Sequence, residues 1–287
     1  MSDHSELVEA CPERSRRGDL STMHPGRTPM EWDTLRFEKD GQVGFLVLDR
    51  PASLNAVNEQ LIADLEEACR TIQADTDVRV VVVKGEGRAF CSGMDLRAAA
   101  NRPADHETLQ AVWEPWRRAL DILENLNQLT IASVHGPCLG AGFELILACD
   151  FRLATTTAFF SSPQVLYGSP PDAGPTYRLP QLIGLAKAKE IVILGERFDA
   201  AQAERWGLLT RIVEPENLAA ETTKLVERCL KVGRKAAAAT KHLLSQAGML
   251  DSEALDAEID HARTASIETG EFTESMQIYR EKRKPQV

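Results

Sequence analysis

Two short segments rich in small residues carry the clearest chemical signal in this 287-residue chain. The first, AFCSGMDL, covers residues 89–96, and the second, HGPCLGAGFELILACD, covers residues 135–150. Each follows an apolar run typical of a buried strand, which predicts a tight turn whose backbone can approach a ligand. Two backbone N–H groups from two such turns can hold one carbonyl oxygen while negative charge develops on it. The first turn alone is equally compatible with an ordinary turn after a strand. The functional interpretation therefore depends on the presence of both turns.

A single glutamate, Glu144, lies in the apolar run AGFELILAC of the second segment. Burying a lone carboxylate is costly unless it is paired, neutral or used in chemistry. A buried carboxyl group is also a suitable general acid or base. The alternative is a glutamate favoured at a helix N-terminus by the macrodipole. The apolar surroundings favour the catalytic interpretation.

Two further polar residues follow in the chain, Gln164 and Asp172. Gln164 can only hydrogen-bond, because its amide does not transfer protons as a carboxyl group does. Asp172 is flanked by Pro171 and Gly174, which predicts a carboxylate on a rigid turn; the alternative is a plain turn residue. Glu144 and Asp172 together would make a two-carboxylate proton shuttle.

The composition argues against several classes of function. The formal net charge of -10 disfavours a broad surface for nucleic acid or anionic membrane. The six cysteines form no CxxC pair and no Cys/His cluster with metal spacing, so we expect no metal site. No glycine-rich phosphate loop is present, so neither a nucleotide cofactor nor a prosthetic group is expected. The absence of a membrane-spanning apolar run and of a signal-peptide pattern predicts a cytoplasmic protein with no membrane partner.

The apolar periodicity predicts an α/β chain that ends in a long helical segment. We expect disorder in residues 1–30, a core with the candidate site in residues 31–216, and a helical C-terminal region in residues 217–287. Ordered structure should begin near Thr34. The expected strands are two in LRFEKDGQVGFLVLDRP and one each in VRVVVVKGEG, LTIASVHG, DFRLATTTAFFSSPQ and LLTRIVEP. The expected helices before the C-terminal region are residues 55–72, one ending near residue 126, and residues 141–149, 186–194 and 200–206.

Six segments in this order resemble the crotonase superfamily, also called the enoyl-CoA hydratase/isomerase family. They are RPASLNAV, GRAFCSGMDL, the segment 136–150, SPQVLYGSPPDAGPTYRLP, LGERFDAAQAERWGLLTRIV and IYREKRKP. The resemblance runs from about residue 34 to the C-terminus. It implies a spiral of ββα units, a helical C-terminal region that makes trimers, and an acyl-CoA substrate that brings coenzyme A to the site.

The resemblance also implies roles for the polar residues described above. The backbone N–H groups of Met94 and Ala141 match the oxyanion hole, and Glu144 matches the first catalytic acid position. Gln164 departs from the family, because hydratases normally have a second glutamate there. Asp172 stands where hydratases usually have glycine, whereas similar aspartates occur in dienoyl-CoA isomerases, epoxyphenylacetyl-CoA isomerases and naphthoate synthases.

Contacts with coenzyme A are likewise implied by the resemblance alone. They fall at three places: the adenine pocket, the phosphates and a C-terminal segment that often comes from a neighbouring subunit. The matching residues are Leu54 and Ala56 for adenine, Arg88 and Arg97 for the phosphates, and Tyr279 and Lys282 for the C-terminal segment. The alternative for the terminal REKRKP is a solvated basic tail.

Three functions remain open at this point. The first is a CoA-thioester isomerase or related lyase that uses Glu144 and Asp172. The second is an enoyl-CoA hydratase in which Gln164 positions water. The third is a non-catalytic CoA-binding or RNA-binding relative, which the acidic charge and the intact Glu144 disfavour.

The C-terminal helices predict self-association. From Asn217 onward they carry apolar stripes that are too long for one helix pair to bury, which predicts a homotrimer or a dimer of trimers.

Overall fold

A seven-stranded sheet is the centre of the computed structural model, which describes residues 30–100, 103, 105–171, 173–246 and 251–282. The first two pairings across the sheet are antiparallel, and each later pairing is parallel. The strands, in their order across the sheet, are β1 (Met30–Glu31), β2 (Leu35–Asp40), β3 (Val43–Leu48), β4 (Val80–Gly85), β5 (Leu129–Val134), β7 (Phe151–Thr155) and β10 (Arg211–Val213).

A second, three-stranded sheet contains the remaining strands. These are β6 (Pro137–Leu139), β8 (Phe159–Ser161) and β9 (Phe198–Asp199). β6 pairs parallel with β8, and β8 pairs antiparallel with β9. β6 begins just after β5 ends, so the chain steps directly from the large sheet to the small one.

Helices surround the two sheets. They are α1 (Glu59–Ala74), α2 (Leu96–Ala100), α3 (His106–Glu124), α4 (Ala141–Leu147), α5 (Arg178–Ile183), α6 (Leu185–Leu194), α7 (Ala200–Arg205), α8 (Leu218–Leu230), α9 (Arg234–Gln246), α10 (Ser252–Glu268) and α11 (Glu271–Lys282). The side chains of Asn58, Asp105, Asp199 and Asp251 accept backbone N–H groups at the starts of α1, α3, α7 and α10.

The large sheet is buried on both faces, as the continuous apolar run of β4 predicts. Val81 and Val83 belong to the main core, which also contains apolar residues of α1, α3 and α4. Val80 and Val82 face the other way, into a smaller cluster with Leu225 and other residues of α8. Because successive side chains of β4 point to opposite faces of the sheet, this one strand packs against helices on both faces.

α9, the first of the last three helices, lies near the ends of the large sheet's strands β4, β5 and β7 at which they begin. Arg234 donates to the carbonyl of Thr76, and Lys241 pairs with Asp150 at 3.0 Å. Neither α9 nor α10 buries a residue fully within the protomer. Several large apolar side chains here are exposed: Leu244, Ile267, Phe272, Met276, Ile278 and Tyr279. No helix in the described ranges is long and apolar enough to span a membrane.

The predicted elements are present, with shifted boundaries and some additions. α1 begins at Glu59 and not at residue 55, because Leu54 and Asn55 adopt left-handed φ angles of 54° and 55°. α4 ends at Leu147 and not at residue 149. Order begins earlier than Thr34, since Met30 already pairs with β2, whereas residues 1–29 lie outside the described residues. Sequence patterns did not predict β1, β6, β9, α2 or α5, and they predicted one strand where β7 and β8 are separate.

Candidate active site

The two small-residue turns lie side by side, because the strands before them, β4 and β5, are neighbours in the sheet. The amide of Phe90 donates to the carbonyl of His135 at 2.9 Å, and the amide of Cys91 donates to Pro137 at 3.1 Å. The amide of Leu139 donates back to Cys91 at 3.0 Å. These bonds continue the pairing of the two strands into the turns and fix one turn against the other.

Glycine is required at the point of closest approach. A Cβ atom on Gly93 would lie 3.0 Å from the carbonyl oxygen of Leu139, tighter than nearly all real contacts. A Cβ atom on Gly140 would lie 3.7 Å from the Cα of Gly93. Both glycines have positive φ, 102° and 49°, which favours glycine at these positions. Glycine therefore occupies both positions at which the two backbones approach each other most closely.

Met94 and Ala141 follow these glycines directly. The carbonyl of Gly93 and the amide of Asp95 both bond to Val57, at 2.8 Å each, and leave the N–H of Met94 between them without an acceptor among the described residues. Ala141 is the first residue of α4, so its N–H has no intrahelical acceptor. The structure thus brings together the two N–H groups that the family resemblance matches to the oxyanion hole.

The first turn is also held by a residue that the sequence analysis did not single out. Asn55 is fully buried, and its side-chain amide donates to the carbonyls of Glu86 and Ala89, at 2.9 Å each, and of Phe90 at 3.2 Å. Its side-chain oxygen accepts the amide of Arg50 at 2.9 Å. All polar groups of this side chain are therefore used to fix the backbone around the turn. The motif RPASLNAV contained this residue, but its spacing alone gave no reason to choose it.

Glu144 lies on α4, one turn after Gly140, and is 4% exposed. Its amide donates to the Gly140 carbonyl at 2.9 Å, which ties the carboxylate-bearing residue to the second turn. One carboxylate oxygen, Oε1, accepts the Gln164 side-chain amide at 2.7 Å. The other, Oε2, accepts the indole N–H of Trp116 at 2.8 Å. A buried carboxylate with donors on both oxygens meets the expectation that its burial needs compensation.

Gln164 begins a 3-10 helix, Gln164–Tyr167, just after β8. The hydroxyl of Ser162 donates to the Gln164 side-chain oxygen at 2.9 Å, which leaves the NH₂ group pointing at Glu144. β8 is joined to the second turn by a bond from the Gly140 amide to the Ser161 carbonyl at 2.9 Å. Gln164 and Glu144, which the resemblance aligns with the two acid positions of the family, are therefore in contact.

The thiols of Cys91 and Cys138 lie beside these turns. Burial, and then the nearby Glu144, raise the pKa of the Cys91 thiol to about 12. Burial raises the pKa of the Cys138 thiol well above its usual value. Both thiols remain protonated at neutral pH, so neither serves as a nucleophile. In the described ranges, no three His, Cys, Asp or Glu side chains are grouped as a metal site.

Asp172 lies outside the described residues. The backbone that follows it is anchored by Arg178, a second residue that sequence reasoning missed. Arg178 is 4% exposed and donates to the Ala173 carbonyl at 3.3 Å. It also pairs with Glu124 and Asp121 of α3, both at 2.7 Å. The segment is thus fixed to the helix that carries Trp116.

Four of the six predicted coenzyme A contacts surround the first turn. Leu54 is half-buried and accepts the Ser92 amide at 3.0 Å, and Ala56 is buried beside it. Arg88 and Arg97 are exposed on either side of the turn. Tyr279 and Lys282 lie on α11, which packs on α10.

The sequence profile of one protein family, described as Enoyl-CoA hydratase/isomerase, matches residues 38–287 of this chain. Two relatives illustrate the range of names within it. The Crotonyl-CoA hydratase of Syntrophomonas wolfei is 30% identical over 89% of this chain and 98% of its own length. The peroxisomal Delta(3,5)-Delta(2,4)-dienoyl-CoA isomerase of Arabidopsis thaliana is 30% identical over 63% of this chain and 68% of its own length.

Solved structures share the architecture. An enoyl-CoA hydratase from Bacillus anthracis superposes with a TM-score of 0.83 at 29% identity, over 88% of this chain and 98% of its own. A structure from Thermobifida fusca, solved in complex with acetoacetyl-CoA, gives 0.76 at 31% identity, over 82% and 95% of the two chains. The arrangement of ββα units with a helical C-terminal region is therefore the crotonase fold.

Proposed function

This chain belongs to the enoyl-CoA hydratase/isomerase family, and from that premise we propose that it isomerises a double bond in an acyl-CoA thioester. The thioester carbonyl oxygen is held by the N–H groups of Met94 and Ala141, and Glu144 transfers the proton. The observation that carries this proposal is the direct contact of the two glycine turns, with Glu144 one helical turn away.

The two N–H groups act on the charge that develops during the reaction. Removing a proton next to a thioester carbonyl produces an enolate, whose negative charge lies largely on the carbonyl oxygen. Donors that are already aimed at that oxygen stabilise the enolate without reorganising, and one such donor typically contributes a factor of about 10²–10³ in rate. The hydrogen bonds that fix the first turn, including those of Asn55, keep this preorganisation.

The choice of isomerisation over hydration follows from Gln164. Addition of water in this family normally uses two glutamates, and here the second is an amide that cannot carry a proton. A shift of a double bond needs only a base that removes a proton and an acid that returns one at another carbon. We assign these roles to Glu144 and Asp172. The dienoyl-CoA isomerase among the relatives supports this reaction class.

Hydration is the second candidate, and a specific observation favours it. Relatives that match nearly their full length are named as hydratases. In this case Gln164, already oriented by Ser162, holds the water that adds to a 2-enoyl-CoA, and Glu144 alone moves the proton.

We also propose that coenzyme A binds across the first turn. Leu54 and Ala56 line the adenine, and Arg88 and Arg97 meet the phosphates. The solved relative in complex with acetoacetyl-CoA supports this ligand class. No prosthetic group is part of the proposal.

A panel of acyl-CoA substrates separates the two reactions. Enoyl-, dienoyl- and aryl-acyl-CoA thioesters are incubated with the protein and followed by mass and ultraviolet absorbance. A shift of the ultraviolet absorbance at unchanged mass indicates isomerisation, and a mass increase of one water indicates hydration. If Asp172→Asn leaves every reaction untouched while Gln164→Ala abolishes them, isomerisation is wrong and hydration stands.

We further propose that the protein is a homotrimer or a dimer of trimers, with α9 to α11 at the interface. The exposed apolar side chains of these helices support an interface there. Tyr279 and Lys282 then reach coenzyme A in a neighbouring subunit. A clean monomer in sedimentation velocity at micromolar concentration would contradict this assembly.

A further inference from the structure

Trp116 contacts Glu144, the proposed proton carrier, but has no part in the reaction outlined above. Its indole N–H lies 2.8 Å from Oε2 of Glu144, and the side chain is 1% exposed. Gln164 holds the other oxygen of the same carboxylate from a different part of the fold. We propose that Trp116 is a positioning residue, which acts through Glu144 by fixing its carboxylate as an oriented proton acceptor. This inference rests on the proposed function.

The chemistry of the two donors supports this role. An indole N–H only donates, and the Gln164 amide turns its NH₂ group to Glu144, because Ser162 occupies its oxygen. Neither donor can take the proton from Glu144 or supply one to it. Hydrogen bonds to an ionised acceptor are stronger than neutral ones, so both contacts hold the group most firmly when it is a carboxylate. Among Trp116, Gln164 and Glu144, only Glu144 can therefore exchange a proton.

The indole is held firmly enough to orient its partner. Trp116 lies on α3, whose later turns are fixed by the buried Arg178 through Glu124 and Asp121. The opposite side of α3 is joined to α1 by the ion pair of Arg118 with Glu66 at 3.0 Å. A large ring packed in the core loses little further freedom when it binds the carboxylate, so the direction of its N–H is set by the fold.

Orientation matters because the carboxylate must meet a carbon next to the held carbonyl. The backbone of Glu144 is tied to the second turn, but its side chain has several rotatable bonds. Two donors on two oxygens help to fix the plane of the carboxylate, and loss of the indole N–H removes the contact at Oε2. Loss of Trp116 should therefore slow proton transfer and leave substrate binding nearly unchanged.

The first test is kinetic. Trp116→Phe keeps an aromatic ring in the core and removes the N–H, and Trp32→Phe is the matched control, because Trp32 also packs against the main core. The reaction found in the substrate panel is measured together with deuterium exchange into a saturated acyl-CoA. We expect Trp116→Phe to lower kcat and the exchange rate about 10- to 100-fold with KM within about twofold, as for loss of one hydrogen bond to a charged group. Trp32→Phe should keep both rates.

The second test needs no substrate. With ¹⁵N-labelled indoles, the Trp116 resonance is assigned as the one missing in Trp116→Phe. Glu144→Gln should move that resonance, because the acceptor of the indole N–H loses its charge, and should leave the Trp32 resonance in place. This readout depends on the Trp116–Glu144 contact and not on general stability.

The outcomes separate the inference from the proposed function. A moved resonance together with a kcat loss specific to Trp116→Phe supports the positioning role. An unmoved resonance, or a kcat loss no larger than that of Trp32→Phe, overturns it while the proposed function stands. If wild-type protein neither exchanges deuterium into a thioester nor converts one, the proposed function is wrong. The positioning role is then wrong as well, even if the resonance moves.

Discussion

Replacing Gln164 by glutamate tests the ionisation of Glu144 most directly. The Gln164 amide nitrogen lies 2.7 Å from Oε1 of Glu144, so the substitution puts a second carboxyl group in contact with the first. At that separation and an effective dielectric constant of about 20, two negative charges repel by about 6 kcal/mol. This corresponds to a displacement of more than about four pH units for the second ionisation. We therefore expect the pair to keep one shared proton at neutral pH.

The retained proton makes stability depend on pH. In the unfolded chain both carboxyl groups lose their protons near pH 4.3, whereas the folded pair keeps one, so the folded state binds more protons above that pH. The stability of Gln164→Glu should fall relative to wild type as pH rises from about 5 to 9. Thermal unfolding across this range measures the effect. Rotation of the half-buried side chain towards solvent reduces the penalty, so several degrees is the expected change in Tm.

Gln60→Glu is the matched control. Gln60 also donates to a carboxylate at 2.7 Å, that of Asp64, but it lies on the exposed side of α1. Asp64 is buried, but the exposed side chain at position 60 can turn into solvent, so the pH slope of Tm should change less than in Gln164→Glu.

The shared proton also supplies a general acid beside Glu144, so Gln164→Glu should hydrate a simple 2-enoyl-CoA faster than wild type, about tenfold or more. Loss of enoyl absorbance with a gain of water measures this rate. Parallel Tm profiles for wild type and Gln164→Glu, with unchanged hydration, would refute the contact with an ionised Glu144.

Further predictions concern the other residues of the site. Glu144→Gln and Asp172→Asn should each lower turnover about 10²- to 10⁴-fold, measured on the substrate that the panel identifies, because each removes a proton carrier. Ala141→Pro should lower turnover about 10²- to 10³-fold with Tm nearly unchanged, because proline is tolerated at the first position of a helix and removes only the N–H. Cys91 should resist iodoacetamide at pH 8 in the folded protein, because burial raises its pKa to about 12, and should react after denaturation, as read by intact mass.

The sequence predicted those parts of the site that depend on local chemistry. Small residues after an apolar run indicate a turn wherever they occur, so the approach of Gly93 to Gly140 required only that the two strands be neighbours. A lone glutamate in an apolar helix was visible in the same way. The sequence resemblance aligned Gln164 with the second acid position, and the structure places it against Glu144.

The remaining features depend on contacts between distant parts of the chain. Nothing in α3 indicated that Trp116 would meet Glu144, because that hydrogen bond joins side chains on two different helices. Leucine rarely adopts a left-handed φ, so the start of α1 was placed too early. β6 has only three residues and becomes a strand through its pairing with β8. Such elements are defined by their partners and not by their own periodicity.

The order of the strands bears on how the chain can fold during synthesis. From β3 to β10, each strand of the large sheet pairs with the strand that entered the sheet just before it. A chain that emerges from the ribosome can therefore extend this sheet at one growing edge, without inserting a strand between two that are already paired. Residues 89–96 and 135–144, which contain both oxyanion turns and Glu144, precede β8 and Gln164 in the chain. The hydrogen bond from Gln164 to Glu144 can therefore form only after both turns have been synthesised.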